Sequence, residues 1–176
     1  AFLEENCTHD FKEMIPQKAI EKKSLIINEK ETKSYKDILV PNYLLGLRLP
    51  EVKKEEIMKK ELAISVLLDL VLGKSTQNYM DLIQKGLIND SFGMDVTIES
   101  DYGFILIGGN TKFPTEFTTT IKKMIDEASS NDVNLADFKR TKKQIIGSFI
   151  QALNSLEYIA NQFTKYHFMH TSLFDV

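Results

Sequence analysis

Cysteine is nearly absent: Cys7 stands alone in 176 residues, so no disulfide can close within the chain, and cysteine used this sparingly points to a reducing compartment. Arginine is almost as scarce. Only Arg48 and Arg140 join the lysines, and acidic residues lie between them, leaving a formal net charge of −3. Nucleic-acid recognition favours forked guanidinium donors on a concentrated basic face, so that class is excluded. The longest apolar run, residues 66–72, is broken by Asp69 and is far short of the roughly 20 residues that cross a bilayer. With no apolar leader and no cleavage signature, the expectation is a cytoplasmic protein with no membrane partner. No Pro-rich or Gly/Ser-rich linker divides the interior, and no repeat recurs at a fixed period.

What remains is a chain 43% hydrophobic and 27% charged, long enough to bury about 70% of its unfolded surface in one core. Residues 1–21 read as a peripheral segment of a preceding linker, and 22–176 as one domain truncated at its C-terminus. Both ends look like cuts through a longer polypeptide. Residues 24–28 (SLIIN) and 43–49 (YLLGLRL) are strand candidates, the second closed by Pro50. A helix over about 54–72 is apolar on most sides of its second half, which predicts burial between layers. Gly73 ends it through a left-handed cap. Ser75 caps a short helix through Lys85, and Gly86 stops that one.

Residues 91–99 and 103–109 read as a strand pair joined by a hairpin across 100–102. Pro114 suits the first turn of a helix whose buried face is Phe117, Ile121, Met124, Ile125 and Ala128. Asn134 with Asp137, and Asn154 with Glu157, read as capping boxes for two more helices. Their stripes are Phe138, Ile145, Phe149 and Leu153, then Leu156, Ile159, Ala160, Phe163 and His167. The order predicts an α+β fold, a mostly antiparallel sheet with helices packed on one face.

Candidate chemistry is thin. Residues 73–76 (GKST) echo a phosphate-binding loop, but Leu68 stands where that motif needs its first glycine and a helix stands where it needs a strand, so the segment reads as a helix boundary. His167 and His170, with Asp175 near, offer two imidazoles without a glutamate base, and His167 continues an apolar stripe; a partly buried structural histidine fits better than zinc. Cys7 and His9 lack an organising third group. The acidic pairs Glu4-Glu5, Glu55-Glu56 and Asp126-Glu127 read as solvated helix surface. Gly108-Gly109 reads as a strand end with unusual dihedrals. No catalytic residue and no metal ligand emerge.

Certain segments nonetheless occur in a telling order: Leu72-Gly73-Lys74-Ser75, Tyr79-Met80-Asp81-Leu82, Gly86-Leu87, the strand pair ending Gly108-Gly109, then 138–143 (FKRTKK), Gly147 and 153–163 (LNSLEYIANQF). Over roughly residues 22–176 the chain resembles the second half of a pitrilysin/insulinase-type metallopeptidase, the inverzincin family that includes mitochondrial processing peptidase, and most closely a bacterial cytoplasmic subgroup. Such enzymes hold zinc on an H-x-x-E-H helix in their N-terminal half, and that motif is missing from this sequence. The resemblance implies a non-catalytic C-terminal domain without a cofactor of its own. Its partner would be a zinc-bearing N-terminal half, in the same polypeptide or a homologous subunit, against which it encloses an extended peptide. The parent would be the enzyme, this chain by itself inactive; the alternative is an inactive partner or assembly module. In many relatives an arginine and a tyrosine after the short helix approach the scissile bond, and the matching positions here are Ile83 and Asn89. Ile83 cannot donate to an oxyanion, which leaves Asn89 as the one candidate substrate contact.

Overall fold

The structure, a computed structural model, describes residues 27, 29–99, 101–168, 172 and 174. The chain divides into two compact units, Ala1–Thr32 and Lys33–Val176, and all the elements below belong to the second. Strand β1 (Asn42–Leu49) leads through a single 3-10 turn (Lys54–Glu56) into helix α1 (Ile57–Leu72) and the short α2 (Gln77–Gln84). Strands β2 (Gly93–Ile98) and β3 (Gly103–Asn110) follow, then α3 (Pro114–Ser129), α4 (Leu135–Ala152) and α5 (Leu156–Phe168). The expected strand at 24–28 lies almost wholly outside the described residues; Ile27, its one described member, is in no strand.

The described sheet has the order β1-β3-β2 with both pairings antiparallel. Opposite residues share a face, and the register places Leu45 against Ile107 and Leu47 against Ile105, with Met94 and Val96 opposite the same two β3 residues from the other side. That inner face meets α1, α2 and α3. Leu72, Leu82, Ile107 and Ile121 are fully buried there, with Phe117 and Leu87 at 1% exposure. A smaller cluster of Val52, Ile57 and Ile98 closes the end of the sheet. The opposite face is open: Leu44, Gly46, Arg48 and Asp95 are all exposed. The fold class is therefore the expected α+β, with the helices on one side.

The local devices differ from expectation in ways that physics explains. Gly73 is extended (φ −64, ψ 152) rather than left-handed; the position is tight because a Cβ there would run into the Asp69 carbonyl oxygen, which Gly73 N–H already reaches at 3.0 Å. Thr76, not Ser75, caps α2, its hydroxyl accepting from the Tyr79 N–H at 3.1 Å. Gly86 does take the left-handed conformation, φ 65. It completes a Schellman stop in which the Leu87 N–H reaches the Leu82 carbonyl at 3.0 Å and the Gly86 N–H the Ile83 carbonyl at 2.9 Å. The accompanying apolar contact is between Leu82 and Leu87, both in the core cluster.

Asn134 caps α4 as expected, accepting from the Ala136 and Asp137 N–H groups, but the Asp137 carboxylate turns to Arg140 at 3.0 Å. Ser155 rather than Asn154 caps α5, accepting from the Tyr158 N–H. The α3 face is as read, with Phe117, Ile121 and Met124 buried. The α5 stripe is not: Leu156 is 84% exposed and Phe163 46%, and His167 is exposed rather than partly buried. Helix α1, expected between layers, buries only Ile57, Leu68 and Leu72, and leaves Leu67 at 49% exposure.

Candidate functional site

The turn that carries Asn89 follows from the Schellman stop of α2. Leu87 and Ile88 are pulled into the core, at 1% and 6% exposure, and the chain emerges at Asn89. Its Oδ1 accepts from the Ser91 N–H at 2.9 Å and from the Ser91 hydroxyl at 2.6 Å, while its carbonyl accepts from the Phe92 N–H at 2.9 Å. This is an Asx turn, the short side chain imitating a backbone turn. Ser91 then accepts from the Asn110 N–H at 2.7 Å, and the Asn42 amide donates to Asn110 Oδ1 at 3.2 Å. A polar rim thus runs from the end of α2 across the end of β3 to the start of β1.

With both acceptor directions of Oδ1 used, the Asn89 amide plane is fixed. Its Nδ2 has no partner among the described residues, so the rim's free capacity at this point is a hydrogen-bond donor. Ile83 is 36% exposed on α2 and supplies no polar group. Beside the rim lies a shallow crevice lined by Leu87, Ile88, Phe92, Gly109, Thr111 and Phe117, with no space for even a water molecule. The glycine is required there. Gly109 has φ 155, and a Cβ would sit 2.7 Å from the Ser91 carbonyl oxygen; the unusual dihedral expected at Gly108-Gly109 is therefore located at the second of the two.

The other candidates scatter. Residues 73–76 form the boundary between α1 and α2, with Thr76 donating to the Gly73 carbonyl at 2.8 Å, and the element that leads into them is helix α1 rather than a strand. Among the described residues no group of three or more histidine, cysteine, aspartate or glutamate side chains is placed to hold a metal, so these residues do not fit a zinc site. His167 is described and solvent-facing; His170, Asp175, Cys7 and His9 lie outside the described residues. Among the described residues no helix is long and apolar enough to cross a membrane.

Sequence reading missed the half-buried ion pair that ties α5 to α1. Lys165 Nζ reaches Glu61 Oε1 at 2.9 Å and Oε2 at 3.2 Å, across 104 positions of chain that no local pattern connects. Burial by itself would lower the Lys165 pKa, but the hydrogen bond and charge of Glu61 outweigh it and the net shift is upward from 10.5. Burial, then the Glu61 charge, also pushes the Tyr166 phenol up from 10.0. Both groups favour the folded state in their protonated forms. That contribution is complete below their unfolded values and is lost as pH rises through the folded ones. Glu61→Gln is accordingly expected to destabilise the chain at pH 8 and to flatten the fall in stability above about pH 10, as followed by urea unfolding across the alkaline range. An unchanged alkaline slope would show the pair to be unimportant. In contrast, burial raises the Asp69 carboxyl in α1, so its ionised form opposes folding at neutral pH.

No protein-family model matches the chain. The uncharacterized zinc protease YmfH of Bacillus subtilis (strain 168) is 39% identical over 158 residues, a match covering 89% of this chain and 36% of that protein. Among solved structures, the crystal structure of a protein described as an M16-like peptidase, from Alicyclobacillus acidocaldarius, resembles the chain with a TM-score of 0.67 at 21% identity. That match takes in 76% of this chain and 32% of the other, and at this identity it speaks for the fold. The chain spans about a third of the length of each.

Proposed function

This chain is a domain related to the pitrilysin-like peptidases, and we propose from that relation that it is the non-catalytic C-terminal half of a zinc-dependent peptidase, closing an extended peptide against a zinc-bearing half. The observation that carries the reading is the 39% identity to a protein named as a zinc protease, of which the match takes up only 36%. The remainder of such a protein has room for the metal site that the residues described here do not provide. Zinc held there would supply an activated water; this half would contribute binding surface alone.

Two features support that division of labour. The open face of the sheet, with Leu44 and Arg48 exposed on either side of Gly46, offers a wall with an apolar and a cationic group four residues apart on one strand. The Asn89 Nδ2, held in place through Ser91, offers a donor to a peptide carbonyl, and we assign it as the substrate contact of this half. Localisation in the cytoplasm belongs to the same reading.

In the longer polypeptide, removal of residues 22–176 is expected to abolish cleavage of a mixed fluorogenic peptide set while zinc content stays at one per chain by elemental analysis. The isolated chain should neither cleave those peptides nor retain zinc after dialysis. Chelator-sensitive cleavage by the isolated chain, or full activity without residues 22–176, overturns the proposal.

A further inference from the structure

The cations of α4 are crowded in a way their own helix does not relieve. Lys139, Arg140, Lys142 and Lys143 lie within five consecutive residues of a chain whose net charge is −3, and all are exposed. Arg140 is neutralised by Asp137 at 3.0 Å. The three lysines have no carboxylate three or four positions away on either side, only apolar residues, one another and, for Lys143, Arg140, and none of them has a salt bridge among the described residues. Lys139 therefore faces Lys142 and Lys143 at the two spacings where like charges on a helix repel.

The same stripe carries apolar residues left in solvent. Helix α4 buries Thr141 and packs on α1. At 100° per residue the outward side brings Leu135, Ile146 and Ile150 into register with the lysines, at 64%, 46% and 60% exposure. Unpaired cations interleaved with exposed branched apolar side chains make a poor free surface. They match the make-up of an interface whose apolar centre is ringed by complementary charge.

We propose that the outward stripe of α4 docks an acidic protein surface, with carboxylates meeting Lys139, Lys142 and Lys143 and apolar side chains covering Ile146 and Ile150. Nucleic acid is a poorer match, because it would leave the isoleucines uncovered and is served better by arginine. An anionic bilayer is also a poorer match: Lys139 projects between Ile146 and Ile150 instead of at their flanks, so burying the isoleucines in hydrocarbon would draw its ammonium group in too. This inference does not depend on the peptidase reading.

The test uses the full chain and a labelled synthetic helical peptide bearing glutamate and leucine on one face. Saturable binding that weakens with salt is expected, reduced about tenfold or more in the Lys139→Glu/Lys142→Glu/Lys143→Glu variant and also reduced by Ile146→Ser/Ile150→Ser. The single Lys139→Glu variant separates this role from a structural one. Its glutamate would face Lys142 and Lys143, so it should raise the melting temperature by about 1 °C while weakening peptide binding. Overturning results are no binding by the wild-type chain, binding indifferent to the lysine reversal, or lysine-dependent binding confined to a DNA duplex or to phosphatidylserine vesicles.

Discussion

Gly108→Ala is expected to unfold most of the chain at room temperature or to lower its stability by about 3 kcal/mol or more, the upper range for forced overpacking. Gly108 lies in β3 opposite Leu44 of β1. A Cβ there would drive into the Tyr43 carbonyl oxygen and come within 3.0 Å of the Leu44 Cα. Both obstacles are backbone, so no rotamer change can make room, and relief requires β1 to move off β3. That movement would also pull Leu45, at 8% exposure, from the core. Since a domain holds only about 5–15 kcal/mol in total, the loss is a large share of it. Urea unfolding checks the size. Gly46→Ala, where the nearest atom to an added Cβ is Leu106 Cδ2 at 3.8 Å, serves as the control that should cost far less. Equal effects at the two positions would refute the argument from close backbone approach.

Phe117→Ala should cost about 3–5 kcal/mol, the usual range for emptying a fully buried aromatic site. Phe117 is 1% exposed and packs edge-on against Tyr43 at 5.7 Å and Phe92 at 6.3 Å between centroids. It joins α3 to β1 and to the segment entering β2, and the Tyr43 hydroxyl lies 2.7 Å from the Thr118 hydroxyl beside it. Truncation would remove the ring contacts and leave a cavity below the polar rim that holds Asn89. The urea midpoint should fall with little change in slope, and Phe117→Leu, which fills most of the space, should lose about 1.5 kcal/mol or less. A small effect from Phe117→Ala would mean that α3 can collapse onto the sheet and that its position is less constrained than the packing indicates.

The elements were legible wherever periodicity or a capping residue marks them. The β1 stretch alternates inward and outward residues, Phe117, Ile121 and Met124 repeat at helical spacing, and Pro114 and Asn134 mark helix starts; each is where the sequence places it. The failures have a common cause. Leu156, Ala160, Phe163 and His167 have the spacing of a buried face, yet α5 contacts its neighbours along another side, through Lys165 and its pairing with Glu61. Periodicity tells which residues share a face, but which face turns inward depends on a neighbour far away in sequence. The cap shifts from Ser75 to Thr76 and from Asn154 to Ser155 are one-residue errors between adjacent polar residues of equal capping ability.

Asn89 came from resemblance rather than from any physical signal. The restraint that orients it, Ser91 bonded onward to Asn110, spans 19 positions and could not be read from the turn alone. The cluster on α4 is the reverse case. Its lysine run is plain in the sequence, where an intrahelical or tertiary partner could still have been assumed; the structure brings no carboxylate to it among the described residues.

By itself the sequence determined the class of object this is: an α+β domain without a transmembrane run, carrying in order the segments that relate it to the pitrilysin-like peptidases. Local chemistry sufficed for that, since hydrophobic period, helix punctuation and residue inventory are properties of short stretches. The tertiary structure decided which apolar faces are covered, why Gly108 and Gly109 must lack side chains, and which lysine finds its carboxylate. Those outcomes depend on the approach of backbones and charges from distant segments, a distance that no spacing along the chain encodes.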